Sequence, residues 1–96
     1  VRVWCAGCAS GEEAYSLAIL LHEHAHKIAD APKIQIFATD VDDEAIAEAR
    51  ENSYPETIAA DVSEERLKRF FVKEGSRYRI KKELRESVLF APHNVL

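Results

Sequence analysis

The most constraining feature of this sequence is a run of small residues near its start, between an apolar segment and a helical one. Residues 1–4 (VRVW) predict a short buried strand, and a helix is expected to begin at about Glu12. The bend between them contains Gly7 and Gly11 and otherwise only small residues. A helix N-terminus presents backbone N–H groups to a ligand, and small side chains leave room for its approach. The opening stretch therefore predicts a ligand-binding turn.

Composition limits the classes of protein to which this chain can belong. An apolar fraction of 47% with 31% charged residues is typical of a globular domain, and 96 residues form one small domain at most. The net charge of −4 argues against nucleic acid as the main partner. No apolar run approaches the ~20 residues of a membrane helix, and no secretory signal is evident. We therefore expect a cytoplasmic protein that is not inserted in a membrane.

The two ends of the sequence suggest a piece of a longer protein. Methionine is absent, and the chain opens inside a predicted strand. The last residues, HNVL, directly follow another predicted strand. A parallel sheet that is buried on both faces needs more strands than this segment supplies. We therefore expect residues 1–96 to be a partial domain.

The first half of the chain alternates between strand and helix patterns. An apolar stripe with helical spacing follows the turn and consists of Ala14, Leu17, Ala18, Leu21, Ala25 and Ile28. Asp30-Ala31-Pro32 is expected to end this helix, and residues 33–39 (KIQIFAT) predict a second strand. A second helix runs from about Ala45 to Asn52, with Asp42 or Asp43 as its N-cap. This order predicts an α/β fold with a parallel sheet and right-handed crossovers.

The pattern changes from Ser53 onward. Tyr54-Pro55 predicts an irregular link, and Ser63 is expected to cap a short helix. Residues 71–73 and 78–80 suggest a small hairpin, residues 81–86 a helical turn, and residues 88–90 the next strand of the main sheet. The intervening stretch is too long for a simple crossover. We therefore expect an inserted β-subdomain at about residues 54–87.

Three features are expected to meet at the carboxyl edge of the parallel sheet, where open α/β folds bind ligands. They are the turn at 7–11, Asp40 directly after the second strand, and Asn94 just after the strand at 88–90. An acidic residue in the position of Asp40 can accept both hydroxyls of a ribose, and an amide can read an adenine edge. Together they predict a ligand that contains a nucleoside.

The charge at the start of the first helix favours one kind of nucleoside. The turn lacks the G-x-G-x-x-G pattern of dinucleotide folds and is similar to the G-x-G-x-G turn of methyltransferases, with Ala9 at the middle glycine. Glu12 and Glu13 are compatible with a cofactor that carries an ammonium, a carboxylate and a sulfonium cation, and suit a pyrophosphate poorly. We therefore favour methyl transfer from S-adenosylmethionine over hydride transfer.

Five short motifs are spread over nearly the whole chain: WCAGCASGEEAYS at 4–16, FATDVD at 37–42, A-R-x-x-x-Y at 49–54, RFF at 69–71 and FAPHNV at 90–95. Together they resemble the CheR-type chemotaxis receptor methyltransferases. The resemblance implies a Rossmann-like methyltransferase fold with an inserted β-subdomain. The family usually has Ser where this chain has Cys5, which keeps the turn small.

The resemblance also implies roles for particular residues. Gly7 would line the cofactor turn, Glu13 and Asp40 would contact S-adenosylmethionine, and Asn94 and Val95 would hold its adenosine end. The family methylates glutamate side chains on the helical cytoplasmic region of chemoreceptors and releases S-adenosylhomocysteine. Its helical N-terminal domain and its final strands are not among these 96 residues, so no catalytic residue is assigned here.

Two cysteines and a histidine motif suggest other chemistry. Cys5 and Cys8 form a C-x-x-C, which suggests a redox pair or half a zinc site; two buried small thiols are the alternative that we favour. The stretch 22–26 (HEHAH) matches H-E-x-x-H, the zinc-peptidase pattern, but a solvated helix flank is our preferred interpretation, and we assign no metal site. Trp4 is expected in the core, and residues 81–86 (KKELRE) are expected to form a solvated face.

Two further functional classes stay open at this point. A non-catalytic sensor module on the same fold would bind S-adenosylmethionine without turnover. An NAD-type oxidoreductase would bind a dinucleotide instead, and the missing middle glycine speaks against it.

Overall fold

A computed structural model describes residues 2–9, 11–27 and 33–92. The predictions for Asn94 and Val95 lie outside the described residues. The expected end of the first helix at 30–32 is wrong, since that helix ends at Ala25. The elements follow one another as β1 (Arg2–Ala6), α1 (Glu12–Ala25), β2 (Gln35–Asp40), α2 (Asp43–Arg50), β3 (Ser53–Pro55), a 3₁₀ turn (Glu56–Ala60), α3 (Glu64–Phe70), β4 (Phe71–Glu74), β5 (Arg77–Ile80), α4 (Lys82–Arg85) and β6 (Val88–Pro92).

The main sheet is parallel and has the strand order β1-β2-β6. Trp4 lies beside Phe37, and Phe37 lies beside Leu89, so the three strands are in a register that aligns their carboxyl ends. Strand–helix–strand units with this order place their helices on one face of the sheet. The α/β fold class with a parallel sheet is confirmed.

The two faces of the main sheet differ in their surroundings. On one face, Ile36, Ala38 and Phe90 are buried under α1 and α2. On the other face, Trp4 is 61% exposed and Leu89 is 55% exposed. The prediction that Trp4 lies in the core is wrong for the described structure. Side chains alternate between the two faces of a strand. Trp4 therefore lies on the same face as the exposed Arg2, which is the face that the helices do not cover.

Helix α1 buries a wider face than its apolar stripe predicts. Ala14 and Ala18 are buried as expected, and Tyr15 and Ile19 are buried beside them. The ring of Tyr15 contacts Tyr54 of β3, so α1 packs against more than the main sheet. None of the described helices is long and apolar enough to span a membrane.

A second, antiparallel sheet has the strand order β3-β5-β4. The hairpin of β4 and β5 is confirmed and turns through Gly75 and Ser76. The irregular link predicted at Tyr54-Pro55 is wrong: these residues lie in β3, whose Tyr54 pairs with Tyr78. This pairing joins positions 24 residues apart, so local sequence gives little sign of it.

Two helix starts follow the capping rules. Asp42 caps α2 and accepts a hydrogen bond from the Glu44 N–H at 2.9 Å. Ser63 caps α3 through the Arg66 N–H at 3.3 Å. The helical turn expected at 81–86 is α4, in which Leu84 is buried while most of its neighbours are exposed. The solvated face is therefore confirmed apart from the side of α4 that carries Leu84.

Candidate functional site

The turn between β1 and α1 is tied closely to the end of β2. The Cys8 N–H donates to the Thr39 carbonyl at 3.0 Å, and the Gly11 N–H closes the turn on the Cys8 carbonyl at 2.9 Å. Gly7 and Gly11 have φ angles of +69° and +90°, and Ala9 has +49°. Three left-handed residues in five positions make a tight turn, and the strain at Ala9 is offset by the contacts that hold it.

The two glycines of the turn have different surroundings. A methyl group added at Gly11 would lie 2.9 Å from Phe90 Cζ and 3.1 Å from Ala49 Cβ. A methyl group added at Gly7 would have no described atom within 4 Å. Gly11 therefore allows α1 to pack closely on the sheet and α2. Gly7 leaves an open surface at the carboxyl end of β1, where a ligand can approach the backbone.

Asp40 stands at the end of β2 and holds the turn in place. Its Oδ2 accepts a hydrogen bond from the Ala9 N–H at 2.9 Å, and its Oδ1 accepts one from the Asp42 N–H at 2.9 Å. These backbone bonds, that from Asp42 first, hold the pKa of the carboxyl below its usual value. Asp40 is therefore ionised at neutral pH, and each oxygen retains a lone pair for one hydroxyl of a vicinal pair.

Further negative charge surrounds this edge of the sheet. Glu12 and Glu13 occupy the first turn of α1 and are exposed. The pKa of the Cys5 thiol is raised by burial and, to a smaller extent, by the charge of Glu13. Glu13 thus adds negative charge near the carboxyl end of β1. The site thus suits a ligand that carries positive charge and a diol, and repels a pyrophosphate.

The two cysteines do not have the properties of a reactive pair. Both are free, and Cys8 is 2% exposed. Burial raises the pKa of both thiols, and the charge of Asp40 raises that of Cys8 further. Since the thiolate is the reactive form, these surroundings favour two small packing side chains over a redox pair.

The histidine motif is only partly solvated. His22 is half-buried, so the solvated-flank interpretation is wrong for this residue; His26 is exposed. The buried Nε2 of His22 has no hydrogen-bond partner among the described residues, and burial lowers the pKa of this imidazole. Within 2–9, 11–27 and 33–92, no three His, Cys, Asp or Glu side chains are close enough to hold a metal ion.

Sequence reasoning missed one role of Asp40 and one further contributor to the site. Asp40 was predicted as a ribose ligand, yet it also fixes the backbone of the turn. Tyr15 was noted only as part of the motif at 4–16 and no role was predicted for it, yet its buried ring contacts the Phe90 ring beneath Gly11. Its place in that motif was the available signal.

Comparison with known families matches residues 1–96, the whole chain, to the family described as CheR methyltransferase, SAM binding domain. The chain belongs to this family. The expected resemblance and the Rossmann-like methyltransferase fold are thereby confirmed, and S-adenosylmethionine is the cofactor of this CheR domain.

Several curated proteins are similar to this CheR domain. A protein of Rhodobacter capsulatus, named an uncharacterized 104.1 kDa protein in the hypE 3′ region, is 46% identical over 96 residues, which are 10% of its length. The chemotaxis protein methyltransferase of Borreliella burgdorferi is 32% identical over 97 residues. That of Escherichia coli K12 is 34% identical over 100 residues, covering 99% of this chain. The chain spans 34% of the length of each of these two methyltransferases.

The described residues fit the cofactor that the family implies. The open surface at Gly7 leaves space over the backbone, and the Asp40 carboxylate is ionised and keeps free lone pairs. S-adenosylmethionine carries a ribose diol, an ammonium and a sulfonium group and has no phosphate, which matches an acidic site. A dinucleotide fits this site poorly, because the turn lacks the G-x-G-x-x-G pattern and the acidic residues repel a pyrophosphate.

Proposed function

We propose that the protein that contains this domain transfers a methyl group from S-adenosylmethionine to glutamate side chains in the helical cytoplasmic region of chemoreceptors. The products are glutamate methyl esters and S-adenosylhomocysteine. The observation that carries the proposal is that Asp40 is hydrogen-bonded to the turn beside the open surface at Gly7, in a chain that belongs to the CheR methyltransferase family. A cytoplasmic location follows from the proposed substrate.

We assign the cofactor contacts as follows. Gly7 lines the turn without a side chain in the way, and Asp40 accepts the two ribose hydroxyls. Glu13 attracts the cationic methionine portion. Asn94 and Val95, outside the described residues, follow β6 and would hold the adenosine end. We assign no nucleic acid partner, since the chain carries a net charge of −4.

The methyl transfer requires no general base from the described residues. Bound S-adenosylmethionine supplies an electrophilic methyl group, and a glutamate carboxylate is already ionised at neutral pH, so no strong base is needed. The contribution of this chain is to orient the cofactor and to supply a site from which water can be excluded. We therefore place no catalytic residue within positions 1–96.

We also propose that the second sheet is the inserted β-subdomain of this family. In some members this subdomain binds the C-terminal peptide of a receptor as an added strand, and we propose that this protein does not depend on such a tether. The support is the short connection between β4 and β5, where only Gly75 and Ser76 turn the chain. A docking peptide that adds a strand needs an accessible edge and side-chain pockets. Micromolar binding of a receptor tail peptide in calorimetry would contradict this part of the proposal.

The experiment that tests the proposed function is a methyl-transfer assay with the intact protein. S-adenosylmethionine labelled in its methyl group is incubated with a soluble helical fragment of a chemoreceptor. We expect label in the fragment that is released as methanol by mild alkali, as a glutamate methyl ester requires. A fragment with glutamine at the methylated positions is the control. Cofactor binding without any transfer would instead favour the sensor-module alternative.

A further inference from the structure

Tyr15 lies where three parts of the molecule meet. It is 3% exposed, and its N–H donates to the Gly11 carbonyl at 3.0 Å, at the end of the cofactor turn. Its ring contacts Phe90 of β6 edge-on, with the centroids 5.5 Å apart, and Tyr54 of β3, with the centroids 6.4 Å apart. One side chain therefore contacts the turn, the main sheet and the second sheet.

The hydroxyl of Tyr15 adds a polar link to these contacts. It donates a hydrogen bond to Asn52 Oδ1, and burial raises its pKa, so it remains a donor across the physiological pH range. Asn52 has a left-handed φ of +56°, and its amide donates to the Arg50 carbonyl at 2.9 Å. Its own carbonyl accepts from the Ile80 N–H of β5 at 2.9 Å. Asn52 thus joins α2 to the second sheet.

Phe90 completes the connection to the cofactor site. Its ring fills the space beside Gly11, where a methyl group would lie 2.9 Å from Cζ. Its carbonyl accepts a hydrogen bond from Arg50 Nη2 at 2.8 Å. The ring is therefore held between the turn and Tyr15, on the strand that leads to Asn94. A shift of Phe90 would therefore alter the spacing between the cofactor turn and the end of β6.

We propose that Tyr15 is a positioning residue for cofactor binding: its hydroxyl and ring hold Asn52 and Phe90 so that the turn and the end of β6 keep the spacing that the cofactor needs. The proposal rests on the proposed function and acts through neighbours of the site. Without the hydroxyl, the Asn52 amide loses one of the two hydrogen bonds that orient it, and the turn is less ordered before binding. Ordering it then takes up part of the binding free energy.

The test is calorimetry with S-adenosylhomocysteine on the intact protein, at a temperature well below the melting temperature of every variant. We expect Tyr15→Phe to raise Kd about fivefold, because part of the binding free energy is then spent on ordering the turn. Asn52→Gly keeps the left-handed backbone but removes the acceptor, and is expected to raise Kd by the same factor. The double variant is expected to bind like either single one, since all three lack the same bond.

Tyr78→Phe is the matched control, because it removes the same atom from a tyrosine of the second sheet that contacts Phe71 instead. Its Kd is expected to equal that of the wild type. A Tyr15→Phe variant with a lowered melting temperature and an unchanged Kd would overturn the proposal, as would additive effects in the double variant. Failure of the wild-type protein to bind would overturn the proposed function itself, and this proposal with it.

Discussion

The two ends of the cofactor turn contain the same residue type in opposite surroundings. At Gly11 the space that a side chain would fill is already occupied by Phe90 and Ala49. At Gly7 no described atom occupies the corresponding space, and among the described residues Asp40 accepts hydrogen bonds from backbone N–H groups. The comparison shows that one short motif has a packed end and an open end, and we propose that the open end receives the cofactor. Its closed end is held by packing, and its open end by charge and hydrogen bonds.

The largest expected effect is at the closed end. Gly11→Ala combines a φ of +90° with a Cβ 2.9 Å from an aromatic carbon, so something must shift. We expect the free energy of unfolding to fall by about 3 kcal/mol, from left-handed strain and overpacking together. Denaturant unfolding measures this change. A loss below about 1 kcal/mol would show that the closed end is not tightly packed.

A second variant sharpens the role of Phe90 at the closed end. Phe90→Leu removes the ring carbons that would clash with a side chain at position 11. We expect this change to destabilise the wild type but to cost about 1 kcal/mol less in the Gly11→Ala background. The double-mutant cycle is measured by denaturant unfolding. Purely additive losses would mean that the ring does not limit the space at Gly11.

A substitution at the open end is expected to weaken cofactor binding more than it lowers stability. In Gly7→Val the new residue must adopt a φ of +69°, but its Cβ has no described atom within 4 Å. We expect an increase in Kd for S-adenosylhomocysteine of about tenfold, with a loss of stability of about 1 kcal/mol from backbone strain. Calorimetry and denaturant unfolding separate the two quantities. An unchanged Kd would remove Gly7 from the site.

The smallest expected effect is a pH dependence at the open end. The folded pKa of Asp40 is lowered, so its stabilising contribution is present above the usual carboxyl value of 3.8. That contribution is lost as pH falls through the lower, folded value. Asp40→Asn is therefore expected to flatten the stability profile below about pH 4, measured by thermal unfolding across pH. An identical slope in both proteins would contradict the ionised hydrogen-bonded carboxylate.

Local sequence predicted much of the fold because the deciding interactions are local. Asp42 and Ser63 cap their helices through backbone amides two or three residues away. The strand-helix alternation likewise predicted the parallel sheet. The prediction for Trp4 was wrong, although the alternation V-R-V-W already places Trp4 on the same face of β1 as Arg2. Which of the two faces the helices cover depends on the handedness of the crossovers.

The parts that sequence reasoning missed depend on distant partners. Pro55 lies in a strand only because Arg77 pairs with it, 22 residues later. The hydroxyl of Tyr15 is hydrogen-bonded to Asn52, which lies 37 residues away in the sequence. The position of Asp40 after β2 was predicted, but its bond to Ala9 was not, because that contact requires the turn and β2 to be side by side. Tertiary pairing, and not composition, determines these features.

The central claim is that the nucleoside of the cofactor is held between the open end of the turn and the carboxylate of Asp40. The most direct measurement is the affinity of S-adenosylhomocysteine for Asp40→Ala against Asp43→Ala, an exposed neighbouring acid at the start of α2. We expect the first variant to weaken binding about 100-fold, from two lost hydrogen bonds to a charged acceptor, and the second to leave Kd unchanged. Equal affinities in both variants and the wild type would contradict the account.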